Sequence, residues 1–169
     1  MFNINDHVFY SSVGVCRISD IRAMKLGGAE EQKCYVLKLF KDPNSTIFVP
    51  TDNVELLRNM RAIMTKDEIE ALIQDMPSED TIWINNERER GTTFFEKARS
   101  CDSRELVKLV KTLYLERVNK KEKGKNLSTT DSRIMAIAEK LLYEEFAFVL
   151  NIDPKDVIPF IRERVPQAL

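Results

Sequence analysis

Cys34-Tyr35-Val36-Leu37-Lys38-Leu39-Phe40 is dense in aromatic and apolar residues and is bounded by polar ones. It predicts a β-strand. Asp42-Pro43-Asn44-Ser45 follows as a turn, because proline presets φ and Asp, Asn and Ser bond their own backbone. Thr46-Ile47-Phe48-Val49-Pro50 is then a short strand closed by a residue that cannot donate to a ladder. Working outward towards the N-terminus, Asp6–Tyr10 leads through Ser11-Ser12-Val13-Gly14 into Val15-Cys16-Arg17-Ile18, and Gly27-Gly28 marks a further turn. Gly14 supplies a positive φ. Residues 1–57 therefore read as β, and their short strands predict a small barrel or strongly bent sheet. A module this small exposes its edge strands, which can accept a strand from another protein.

The pattern changes after Leu57. Thr65-Lys66-Asp67-Glu68 has capping-box spacing and opens a short acidic helix with Ile69, Leu72 and Ile73 on one side. Pro77-Ser78 ends it. A second helix is expected to begin near Ser78 or Asp80 and to carry Trp83, with a kink or break at Gly91. From Asp102 onward, Leu106, Leu109, Val110, Leu113 and Tyr114 form one apolar stripe, and Gly124 fits a helix stop. Ser128-Thr129-Thr130-Asp131 caps the next helix, whose apolar face holds Ile134, Ala138, Leu141 and Leu142. Asp153-Pro154 begins a last short helix. The expected class is α+β, with a β unit over residues 1–60 and a helical bundle over 61–169, of which 151–169 form an extra helix or tail.

Composition excludes several chemistries. The chain has 169 residues, 43% hydrophobic and 31% charged, as expected of a globular protein. Its apolar runs are too short for a membrane span, and its first residues lack the pattern of a secretory signal, so a cytoplasmic location is expected. Cys16, Cys34 and Cys101 are widely spread and the one histidine is His7, so no metal site is expected. Phosphate-loop and dinucleotide-binding glycine patterns are absent, and the adjacent carboxylates Glu30-Glu31 and Glu144-Glu145 suit a solvated face. No catalytic residue, enzyme activity or cofactor is expected.

The net charge of −1 hides a polarised distribution. Residues 64–82 carry one cation and six anions, whereas residues 83–143 carry fourteen cations and nine anions. The positive excess follows Trp83, the only tryptophan. Within Asp80–Asp102, DTIWINNERERGTTFFEKARSCD, that ring lies beside Arg88, Arg90, Lys97 and Arg99. A flat apolar ring among cations suits a nucleic-acid contact, in which cations meet phosphates and the ring stacks on or wedges between bases. It equally suits a ring that caps a small core, with the arginines solvated. A local excess of this size supports a few phosphate contacts and not strong autonomous DNA binding.

Residues spread over roughly 1–150 carry a resemblance to a known family. They are Ile4–Tyr10 with Gly14-Val15; Tyr35-Val36-Leu37-Lys38; Ile47-Phe48-Val49-Pro50 with Asn53; Trp83; Glu96–Asp102; the helix through Val107 to Tyr114; and Leu127-Ser128-Thr129. In order and spacing the chain resembles the CarD family of bacterial transcription regulators, also called CdnL. The resemblance implies a Tudor-like N-terminal module that docks on the RNA polymerase β subunit through an exposed sheet edge. It also implies a helical domain lying on promoter DNA at the upstream edge of the melted bubble, where a tryptophan enters the minor groove and stabilises the open complex. By position, Trp83 is that residue. Arg88, Arg90 and Lys97 are its expected phosphate-contacting neighbours, with Arg133 and Lys140 further along; Met24, Phe48 and Val49 are expected polymerase contacts. A monomer is expected. The chain departs from relatives at Ile84-Asn85-Asn86-Glu87, which separates Trp83 from its arginines, at Cys101, where relatives carry glycine, and at Phe48, where some carry arginine. The competing reading is a protein-interaction adaptor, in which the β module binds another partner and Trp83 belongs to the core.

Overall fold

The computed structural model describes residues 1–11, 13–27 and 30–165. Ser12 and Gly28 of the expected turns, and positions 166–169 of the expected tail, lie outside them. The chain separates into two compact units, Met1–Ile63 and Met64–Leu169.

The first unit is an antiparallel five-stranded sheet in the order β4-β3-β2-β1-β5. Its strands are β1 (His7–Tyr10), β2 (Gly14–Lys25), β3 (Glu31–Leu39), β4 (Thr46–Pro50) and β5 (Met60–Ala62). Gly14, at φ 89, turns β1 into β2. The β2–β3 register shifts between Ile18 and Asp20, an irregularity that bends a sheet. One face gathers Val8, Cys16, Ile18, Tyr35, Leu37, Val49 and Met60 into the core. The Phe2 ring meets Tyr35 edge-on, at 6.2 Å.

Two differences from the sequence reading lie here. The segment up to Leu57 is not all β: α1 (Val54–Leu57) is a single turn capped by the Asn53 side chain, which accepts from Leu56 N at 3.0 Å. The chain then returns as β5. Val49 was expected as a polymerase contact, yet it is 0% exposed. The two-residue period of β4 turns Val49 and Ile47 inward and leaves Phe48 on the opposite face, half-buried. Met24, on β2, is half-buried too.

The second unit holds α2 (Lys66–Asp75), α3 (Glu87–Ala98), α4 (Ser103–Glu122), α5 (Thr129–Leu150) and α6 (Val157–Arg164). The Thr65–Glu68 capping box forms in both directions. Leu106, Leu109 and Leu113 of α4 pack with Phe94 of α3 and Ile134, Leu142 and Phe146 of α5, all fully buried. Burying each such side chain contributes about 1.5–3 kcal/mol. Gly124, at φ 67, ends α4, and Lys125 N reaches back to Lys120 O at 2.8 Å. Val157 and Ile161 bury one side of α6, and Arg164 pairs with Glu70 of α2 at 3.0 Å. No helix among the described residues is long and apolar enough to cross a membrane.

The helix expected to start near Ser78 or Asp80 does not. A 3-10 turn, Met76–Ser78, closes α2, residues 79–86 are irregular, and α3 begins only at Glu87. Asn86 decides this: its side chain accepts from Glu89 N at 3.0 Å, with Glu87 and Glu89 in the positive first turn. Gly91 sits inside α3, which runs on without the expected break. A Cβ there would meet Thr130 Cγ2 at 3.5 Å, an ordinary contact. Gly91→Ala is therefore expected to raise stability by about 0.5–1 kcal/mol, read as an increased midpoint in urea with unchanged slope. A fall would mean that α3 and α5 cannot accommodate the methyl group.

Candidate nucleic-acid interface

Trp83 stands on the irregular segment between α2 and α3, and that segment is tied to the bundle at several points. Lys111 Nζ donates to Pro77 O at 2.8 Å and to Glu79 O at 2.6 Å. Ile82 N donates to Thr112 Oγ1 at 3.0 Å, and that hydroxyl donates to Lys108 O at 2.6 Å. Arg104 holds Asp75 at 2.6 Å and also pairs with Glu79. The chain thus crosses α4 as a strap without helical hydrogen bonds of its own.

Arg90 completes the strap. Its Nε and Nη2 donate to Asp131 Oδ1 and Oδ2 at 3.0 and 2.9 Å, a two-pronged pair between α3 and α5. Its Nη1 donates to Ile84 O at 2.9 Å and to Asn85 O at 3.4 Å. Its Cζ lies 4.2 Å from the centroid of the Trp83 ring. Phe94 meets Trp83 at 6.3 Å and 66°. The indole is half-buried, set between a buried guanidinium and a buried phenyl ring.

Arg90, expected beside phosphate, is instead turned inward in this structure. It is 4% exposed and its donors are committed to Asp131 and the strap. A buried cation needs a partner, and Asp131, 1% exposed, supplies it. Burial alone would push the Asp131 carboxyl up; the hydrogen bonds from Arg90 and Ser128, together with the Arg90 charge, outweigh this and hold it below the usual carboxylate range. The same hydrogen bond raises Arg90 further.

The other expected cations are dispersed. Arg88 is exposed at the start of α3, and Arg133 and Lys140 are exposed on α5. Lys97 is half-buried and paired with Glu105, whose carboxyl is lowered by that hydrogen bond first and by Lys108 as well. Arg133 shares a cleft of about 580 Å³ with Arg99, Phe95, Thr92, Thr129 and Thr130. Arg99 stacks on Phe95, 4.2 Å from its centroid. Sequence reasoning noted Arg99 without assigning it a contact, and saw Asp131 only as a helix-start acid. The signal for the late helix start is present in the sequence, in Asn86 followed by Glu87 and Glu89. Among the described residues, no group of three or more His, Cys, Asp or Glu side chains could hold a metal ion.

With the fold and the tryptophan strap in place, the comparisons with known proteins identify the class. Residues 2–63 match the family model described as the CarD-like/TRCF RID domain, and residues 69–162 match CarD, C-terminal domain. Both halves point to a transcription factor of a family whose members interact with RNA polymerase. The chain belongs to the CarD/CdnL family. No curated protein matches it. The second match takes in most of α6, beyond the part of the chain over which the resemblance was traced.

Removing one side of the Arg90–Asp131 pair is expected to be costly. Asp131→Ala should lower unfolding free energy by about 3–5 kcal/mol in urea, because the guanidinium stays buried without its partner. Trp83 emission should shift to the red in the same variant as the strap loosens; an unchanged spectrum would separate the ion pair from the ring. Because the Asp131 carboxyl is held low in the folded state, its contribution is complete above about pH 4 and is lost as pH falls through the folded value. Stability measured from pH 7 to 5 should therefore show no loss from this group, and the loss below pH 4 should be smaller in Asp131→Asn.

Proposed function

We propose that this protein bridges the RNA polymerase β subunit and promoter DNA, and that Trp83 enters the minor groove at the upstream edge of the bubble to stabilise the open complex. The observation that carries the reading is the mounting of Trp83. A wedge must remain accessible and must resist being pushed aside. A half-buried ring on a strap bonded by α3 and α4, stacked on a guanidinium that is itself fixed to α5, meets both demands. Unstacking a base step costs a few kcal/mol, and a rigid ring offsets that cost without losing rotamer freedom on binding.

In this reading Arg88, Arg133 and Lys140 approach phosphates, with Lys97 available after exchange of Glu105, while Arg90 positions the ring. The exposed edge of β4 pairs with a strand of the β subunit, and Phe48 and Met24 contact it. DNA affinity of the free protein is low and indifferent to sequence, because docking supplies the local concentration. The protein acts as a monomer.

The decisive measurement is the lifetime of open complexes on a promoter with polymerase, with and without the protein. Wild type should lengthen the lifetime, and Trp83→Ala should lose most of that effect while it retains helicity and polymerase binding. Equal lengthening by both proteins would sink the wedge. Arg133→Glu should weaken the effect in a salt-dependent way and leave polymerase binding unchanged.

A further inference from the structure

Gly91, Phe95 and Arg99 follow one another at four-residue spacing along α3 and its C-cap, and so share one stripe of the helix. The first turn of α5 faces that stripe with Thr129, Thr130 and Arg133, and buried Ile134 forms the floor between them. At one end Gly91 lets the two helices approach closely, since a Cβ there would touch Thr130 Cγ2 at 3.5 Å. Beyond it the helices leave the cleft of about 580 Å³, a volume within the range of pockets that take small molecules.

The two walls of the cleft differ in chemistry. On the α3 side the Arg99 guanidinium lies over the Phe95 ring, 4.2 Å from its centroid. A planar cation held on a phenyl face is a platform on which a nucleobase stacks. On the α5 side Arg133 is exposed, and among the described residues it forms no ion pair. Ser128 caps α5 by accepting from Asp131 N at 3.0 Å, which leaves the N–H groups of Thr129 and Thr130 without an acceptor among the described residues. Those N–H groups, the two threonine hydroxyls and Arg133 together suit a phosphate group. Among the described lining residues Glu96 is the one carboxylate, and it is exposed.

We propose that the α3–α5 cleft binds a free nucleotide, with its base stacked on Arg99 and its phosphate held by Arg133 and the first turn of α5. An inorganic phosphate would use one wall and leave the platform bare, and a nucleoside would leave Arg133 unpaired. A nucleic-acid chain fits less well than a free nucleotide. Glu96 repels a continuous run of phosphates, whereas a single nucleotide can turn a ribose hydroxyl to that carboxylate. Two arginines against one glutamate is an excess that suits one phosphate and not a row of them. The inference stands apart from the promoter reading, since it needs neither the wedge nor polymerase.

The test titrates the full-length, isotope-labelled protein with AMP, adenosine, ribose 5-phosphate and a single-stranded oligonucleotide, and follows the amide signals by NMR. AMP should shift the amides of Phe95, Arg99, Thr129, Thr130 and Arg133 saturably. Adenosine, which lacks the phosphate, and ribose 5-phosphate, which lacks the base, should each bind about tenfold more weakly or worse. Arg133→Ala should weaken AMP binding by about tenfold, and Arg133→Lys by less. Arg99→Gln should weaken AMP and leave ribose 5-phosphate unchanged. Signal dispersion matching wild type shows that each variant is folded. If the amides do not move at millimolar AMP, or if adenosine or ribose 5-phosphate binds as tightly as AMP, the cleft is not a nucleotide site. If Arg133→Ala and Arg99→Gln both bind AMP like wild type, the assignment of the two walls is wrong. If the oligonucleotide moves the same amides at lower concentration than AMP, the cleft belongs to a nucleic-acid interface and the proposal is overturned.

Discussion

The fork between Arg90 and Asp131 is the constraint on which the helical unit depends. It joins α3 to α5 at 2.9 and 3.0 Å in a place where both side chains are buried. Two opposite charges withdrawn from solvent gain little as a pair, yet either one alone would be prohibitive. Such a pair therefore acts as a lock: the helices sit in the one arrangement that lets the charges meet. The remaining guanidinium donor and the flat face of the ion are then used to hold the strap and the tryptophan.

Accessibility and rigidity usually oppose each other. A side chain on an exposed loop is accessible but pays entropy when it is immobilised on binding. Here the loop is immobilised beforehand by Lys111 and Arg104, which hold Glu79, by Thr112 and by Arg90, each bonding the strap from a packed helix. The segment Ile84-Asn85-Asn86-Glu87 has a place in this arrangement, since Ile84 and Asn85 supply carbonyls to Arg90 and Asn86 starts α3.

Much of the architecture was legible in the residues. The dense apolar run Cys34–Phe40 and the turn chemistry after it specify strands of a small sheet, and the stripe from Leu106 to Tyr114 specifies α4, because these are local patterns that solvent exclusion sorts. Caps were legible for the same reason: Thr65 and Ser128 each bond a backbone N–H within three residues. The family was legible too, through the order of motifs along the chain, and the two family matches bear it out. β5 was not among the strands read from the sequence, because three residues carry too little periodicity to register.

The roles of individual cations were not legible. Arg88 and Arg90 are two positions apart and chemically identical, yet one is exposed and the other 4% exposed. Only the tertiary structure separates them, since the group that draws Arg90 inward is forty-one residues away on another helix. Val49 and Phe48 differ in the same way, by the face that the pairing register assigns them. The sequence by itself thus determined most of the strands and helices, and the family, because these depend on short-range periodicity and on order along the chain. Which charges are available to a partner was decided by long-range packing. Desolvation is a property of what surrounds a group in space, and neighbours in the chain do not report it.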